Sequence, residues 1–164
     1  MTSRHRGERT VQFLLERGRL ESFEADEMVV LAEAFLERAA LRLEATARAA
    51  LANSDADGAF AAAYDAYRMA AESLLACQGL RATGGDGSHM SVEDAVSSQF
   101  ASEIPAFAKP TFERLRRTRH TAQYFDPAAA PIAKADAEWA IEKAARAISA
   151  TKALLSAGPP KRFG

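Results

Sequence analysis

The stretch Ala63-Tyr64-Asp65-Ala66-Tyr67-Arg68-Met69-Ala70-Ala71-Glu72-Ser73-Leu74-Leu75 decides the fold class, because its apolar residues recur with the spacing of a helix and not with the alternation of a strand. Phe60, Tyr64, Tyr67, Ala71, Leu74 and Leu75 gather close to one side of a helix expected over about 58–80, with Gly79 as its stop. Tyr64 and Tyr67 read as core or interface residues, since aromatic rings dominate the area a core buries. Asp65, Arg68 and Glu72 stand three and four apart and read as ordinary ion pairs along the helix surface.

The same periodicity continues on both sides of this helix. Upstream, a short helix is expected over about 8–17, with Val11, Leu14 and Leu15 inward and Gly18 ending it. A long helix follows over about 25–53, where Val29, Leu31, Ala32, Phe35, Leu36, Ala39, Leu43 and Ala47 form a broad apolar stripe. Downstream, Thr83-Gly84-Gly85-Asp86-Gly87-Ser88 lacks the lysine of a phosphate loop and follows a helix where such loops follow a strand, so it reads as a flexible connection. His89 is then a loop or cap histidine. Ser91-Val92-Glu93-Asp94 has the form of a capping box opening a short helix to about 100.

Ile104-Pro105 and Lys109-Pro110 lead into a helix that runs to about 124 and is stopped by Asp126-Pro127. A last helix over about 133–156 carries Trp139, Ile141, Ala145, Ile148 and Leu155. No stretch alternates well enough to be a strand. The expected fold is all-α, an up-and-down helical bundle with a short extra N-terminal helix and a short connecting helix. It forms one domain over 1–164, with mobile ends at about 1–7 and 158–164.

Composition narrows the function. At 164 residues, 48% hydrophobic and 26% charged, the chain has the size of one domain with its own core. It has no apolar run of about 20 residues, so no membrane partner is expected. The polar start Met1-Thr2-Ser3-Arg4-His5-Arg6-Gly7 lacks the apolar region of a secretory signal, which makes the cytoplasm the default location. Cys77, the single cysteine, lies in the apolar run Leu74-Leu75-Ala76-Cys77 and reads as a buried thiol. His5, His89 and His120 are scattered without metal-ligand spacing, so neither a metal nor another cofactor is expected.

The chemistry concentrates in Phe112-Glu113-Arg114-Leu115-Arg116-Arg117-Thr118-Arg119-His120-Thr121-Ala122-Gln123-Tyr124-Phe125-Asp126. Between Glu113 and His120, four arginines face one glutamate, a local charge of +3 in a chain whose net charge is −1. The planar fork of arginine suits phosphate, and histidine changes its protonation near neutral pH. The segment reads as an anion site in which Arg114, Arg116 and Arg117 supply phosphate contacts around Arg119 and His120. The competing reading is a solvated helix face of Arg–Glu pairs. Arg116, His120 and Tyr124 recur every fourth residue and share a face, whereas Arg119 and Tyr124 diverge by about 140° on an ideal helix. Tyr124 and Phe125 read alternatively as packing residues before Asp126-Pro127.

Three places in the sequence resemble the HEPN superfamily (higher eukaryotes and prokaryotes nucleotide-binding), small helical bundles of bacterial toxin–antitoxin and defence systems. The segment 63–75 is similar to the amphipathic core helix of these proteins. Gly79-Leu80-Arg81, the glycine loop and Gly87-Ser88-His89 resemble an actinobacterial, toxin-like subset. Most specific is Arg119-His120-Thr121-Ala122-Gln123-Tyr124, which resembles the signature of an arginine, a polar residue, three further residues and a final histidine, with Tyr124 in the last place. The resemblance covers about 28–155.

The resemblance implies a homodimer that binds RNA in a basic cleft and cleaves it without a metal, using the 2′-hydroxyl as nucleophile. Arg119 would hold the scissile phosphate, His120 would be its polar partner, and Tyr124 would complete the catalytic set. A phenol with a pKa near about 10 is a poor general base at neutral pH, so His120 becomes the candidate acid–base. The same departure supports an alternative, a catalytically inactive module that binds nucleotide or a nucleotidyltransferase antitoxin, with Tyr124 as the residue modified. A third reading, a structural bundle with no ligand, is set against both by the local positive charge.

Overall fold

The computed structural model describes residues 3–85, 87–124 and 126–164, with side chains from Gly7 onward. Among the described residues there are six helices and one two-stranded ribbon. Helix α1 spans Ser3–Glu16 and strand β1 Leu20–Ser22. Helix α2 covers Met28–Leu41, continues through a π-helical stretch, Arg42–Arg48, and closes with the turn Ala49–Ala52. Then come α3 (Ala56–Cys77), β2 (Leu80–Ala82), α4 (Ser88–Phe100), a 3₁₀ turn (Pro105–Phe107), α5 (Lys109–Gln123) and α6 (Lys134–Ala157). No helix among the described residues is long and apolar enough to cross a membrane.

Helix α3 is the axis of the fold. Asp55 caps it by accepting the backbone N–H of Gly58 at 2.8 Å, and its interior positions Phe60, Tyr64, Tyr67, Leu74 and Leu75 are all nearly inaccessible. Helices α2, α5 and α6 pack around it, and α4 lies between it and α1. Tyr67 carries the aromatic centre: its ring meets Phe112 edge-on at 4.8 Å and Phe107 at 5.2 Å, and its hydroxyl donates to the carbonyl of Ala106 at 2.6 Å. Gly7 of α1 is buried where a Cβ would lie 2.7 Å from Gln99 Cγ, which brings the α1 backbone close against α4.

The all-α expectation holds apart from the ribbon. Strands β1 and β2 pair antiparallel with Leu20 opposite Ala82 and Glu21 opposite Arg81. Three residues per strand are too few to show alternation, and the pairing joins segments 60 residues apart, so local pattern could not reveal it. Gly79 makes the turn into β2 at φ +71°, a conformation that suits glycine. In α2, Val29 and Leu31 are more than a third exposed and not inward as expected; the buried line is Ala32, Leu36, Ala39, Leu43 and Ala47. Its spacing of four residues through Arg42–Arg48 follows the wider turn of the π stretch.

The expected capping box at Ser91–Asp94 does not form. Helix α4 begins one turn earlier, at Ser88, after Gly87 in the left-handed region (φ 84°). Ser91 instead donates to the Gly87 carbonyl at 3.2 Å, and Asp94 pairs with Lys109 at 3.0 Å. The C-terminal tail, expected to be mobile, docks: Phe163 packs on the core and donates its backbone N–H to the Gln78 carbonyl at 3.0 Å, while Arg162 pairs with Glu24. At the other end, helix α1 already starts at Ser3, within the segment expected to be mobile, and Met1 and Thr2 lie outside the described residues. Cys77 is buried, as the sequence indicates, and burial pushes its thiol up to about 11.

Candidate functional site

Helix α5 is seated by Phe112 and Leu115, both fully buried. Residues one and two turns further along that inward stripe, Arg116 and Arg119, are therefore carried to the edge of the core. Their side chains are 22% and 24% exposed. Arg116 donates Nε–H to Glu93 Oε2 of α4 at 2.7 Å, and the Glu93 side chain is 3% exposed. Arg119 reaches α3: its Nη2 lies 3.5 Å from Asp65 Oδ1, and its guanidinium carbon 6.0 Å from the Tyr64 ring centre. Along its own helix it donates to Gln123.

Further residues absent from the sequence-based site, His89 and Arg68 foremost, complete this cluster. His89, fixed in the first turn of α4 and not in a loop, stacks on Tyr64 with ring centres 5.7 Å apart. Its Nδ1 lies 2.9 Å from the Tyr64 hydroxyl and its Nε2 3.3 Å from Arg68 Nη1. Arg68 also faces Glu72 at 3.9 Å, the i to i+4 pair the spacing predicts. Asp65 does not join that local pair set but binds across to Arg119. The result is a half-buried group of three guanidiniums, Arg68, Arg116 and Arg119, set against Asp65, Glu72 and Glu93, with Tyr64 and His89 between them.

Burial shifts the titration of three groups in the cluster. It raises the Tyr64 hydroxyl well above the ordinary phenol value, against the pull of Arg68, Arg116 and Arg119. It lowers His89, and the positive charges of Arg68 and Arg119 lower it further. It raises the carboxyl of Glu72, which Arg68 opposes. Among the described residues, the Nε atoms of both Arg68 and Arg119 are buried without a hydrogen-bond partner. Buried donors are ordinarily satisfied, so these two N–H groups call for an acceptor that the described residues do not supply.

The sequence-predicted residues divide into two groups. Arg116 and Arg119 belong to the cluster. His120, on α5, and Tyr124, just past the helix end with extended backbone, are exposed with their rings 4.7 Å apart, and Tyr124 is 58% exposed. The expected Arg116–His120–Tyr124 face is therefore split, because Arg116 turns inward to Glu93. Arg117 is exposed and paired with Glu113 at 2.6 Å. Arg114 sits 3.9 Å over the Trp139 ring and 3.7 Å from Asp136, held to α6 away from the cluster. Phe125 lies outside the described residues. Comparison with family models, with curated proteins and with solved structures finds no match.

Proposed function

We propose that the chain is a HEPN toxin-like protein of a toxin–antitoxin or defence system. It works as a cytoplasmic homodimer that binds RNA in a basic cleft and cleaves it without a metal. The observation that carries this reading is Arg119, half-buried where α3 and α5 meet, with an unpartnered buried Nε–H and Arg68 close by in the same cluster. Two guanidiniums with free donors suit a phosphate and the charge that develops on it during cleavage. His120, exposed one residue further along α5 and outside the cluster, is the acid–base that takes the 2′-hydroxyl proton where the dimer cleft brings it to a phosphate held by Arg119 of the facing protomer, and Tyr124 beside it contributes a hydrogen bond.

Single-turnover cleavage of a labelled RNA in the presence of EDTA tests the reading. His120→Ala is expected to lower the rate by about two to four decades, the usual contribution of a general acid–base. Tyr124→Phe removes only a hydrogen bond and is expected to cost about one to two decades. Wild-type activity in His120→Ala, or inhibition by the chelator, would contradict it. Should the wild type bind RNA or nucleotide and cut nothing, the alternative stands: an inactive module that binds nucleotide or a nucleotidyltransferase antitoxin. The exposed ring of Tyr124 favours that second reading, since it leaves the side chain accessible to a modifying partner.

A further inference from the structure

His89 is surrounded by charged groups from three helices. From α3, Arg68 approaches its Nε2 and Tyr64 its Nδ1, with Asp65 and Glu72 on the same edge. From α5 come Arg116 and Arg119, and α4 itself brings Glu93. Arginine has donors only, so Nε2 must accept from Arg68, the ring proton sits on Nδ1, and the Tyr64 oxygen accepts it. Only a neutral imidazole satisfies both contacts. The arrangement ties one N–H of Arg68 to an uncharged nitrogen while its buried Nε–H has no partner. A guanidinium bonds an oxyanion about twice as strongly as a neutral acceptor.

Resting on the reading of Arg119 as an oxyanion contact, we propose that an oxyanion bridging Arg68 and Arg119 displaces the Arg68–His89 hydrogen bond, and that His89 takes up a proton from solvent at Nε2 as the anion binds. Arg68 Nη1–H turns from Nε2 to an anion oxygen, the solvent proton forms Nε2–H, and Nδ1–H stays on Tyr64. No bond within the ligand changes. His89 thus positions Arg68 in the free protein and becomes an additional donor in the bound one.

The sign of the pH dependence follows. In the free protein His89 titrates below the ordinary value of about 6.5, because burial and then Arg68 and Arg119 oppose its charge. A bound anion cancels part of that repulsion and raises the midpoint. Between the free and bound midpoints binding takes up a proton, so affinity falls by up to about tenfold per pH unit as pH rises through that window.

Sulfate is the probe, because it stays dianionic throughout and any proton taken up belongs to the protein. Nitrogen NMR of the histidine rings is followed from about pH 5 to 8, with and without saturating sulfate, around the ordinary histidine midpoint. The His89 signals are assigned with His89→Gln. Free His89 is expected as the Nδ1–H tautomer, and sulfate is expected to raise its midpoint by about one pH unit or more, with affinity weakening several-fold per unit. In His89→Gln the affinity is expected to be flat with pH; if that variant does not fold, the wild-type titration decides. A His89 midpoint that sulfate does not move, or a shift at His120 in its place, overturns the inference, while loss of sulfate binding in Arg119→Ala would still uphold the Arg119 reading. Absence of saturable binding, or binding that survives Arg119→Ala, overturns both.

Discussion

Phe112→Ala is expected to lower the stability of the protein by about 3–5 kcal/mol, the range for deleting a fully buried aromatic ring. A domain of this size is held by only about 5–15 kcal/mol, so the loss takes a large share of the total. The ring is fully buried, meets Tyr67 edge-on at 4.8 Å and lies 6.3 Å from Phe107, so its loss leaves a cavity in the aromatic centre of the core. The same contact seats α5. Arg116 and Arg119 follow Phe112 by one and two turns, and their approach to Glu93 and Asp65 depends on that seating. Urea denaturation followed by circular dichroism reads the first effect. A second consequence is weaker RNA binding by the fraction that remains folded. A loss below about 1 kcal/mol would mean that α5 is held elsewhere.

Arg119→Ala is expected to weaken RNA binding about 10- to 100-fold, against about twofold to threefold for Arg114→Ala, although each removes one positive charge. Arg119 faces a half-buried cluster in which a charge-assisted hydrogen bond is worth about 1.5–3 kcal/mol. Arg114 is 55% exposed, stacked on Trp139 and paired with Asp136, and would act on RNA only through a screened potential. The gap between the variants should persist as salt rises, because a fixed contact is screened less than a diffuse field. Binding titrations at two ionic strengths decide it. Equal losses that vanish together at high salt would indicate a basic surface without a site.

The fold class was legible because helical spacing is a local property, and Phe60, Tyr64, Tyr67, Leu74 and Leu75 carry it within a single segment. The ribbon was not, since Leu20–Ser22 and Leu80–Ala82 acquire their pairing only when α2 and α3 bring them together. Part of the candidate cluster was also legible. Phe112, Leu115, Arg116 and Arg119 stand at i, i+3, i+4 and i+7, so the inward course of the two arginines follows from the same periodicity that buries the phenylalanine. Grouping Arg116 with His120 and Tyr124 by their spacing of four missed it, because Phe112 and Leu115 seat the helix so that Arg116 turns inward to Glu93. His89 had no local signal at all. Its partners Tyr64 and Arg68 lie 25 and 21 residues away, and reading Ser91 as the helix cap left it in a loop that the left-handed Gly87 in fact closes one turn earlier.

Arginine side chains report on an oxyanion directly, because each Nε–H gives its own NMR signal. Titration of the protein with a short RNA, with the signals assigned by single Arg→Lys variants, is expected to move the Nε–H resonances of Arg68 and Arg119 first and saturably. Among the described residues both groups are buried without a protein partner, and a bound phosphate would supply the acceptor. The signals of Arg114 and Arg117, engaged by Asp136 and Glu113, should move little and only at low salt. Shifts confined to Arg114 and Arg117, with Arg68 and Arg119 unmoved at saturation, would contradict a phosphate site in the α3–α5 cluster.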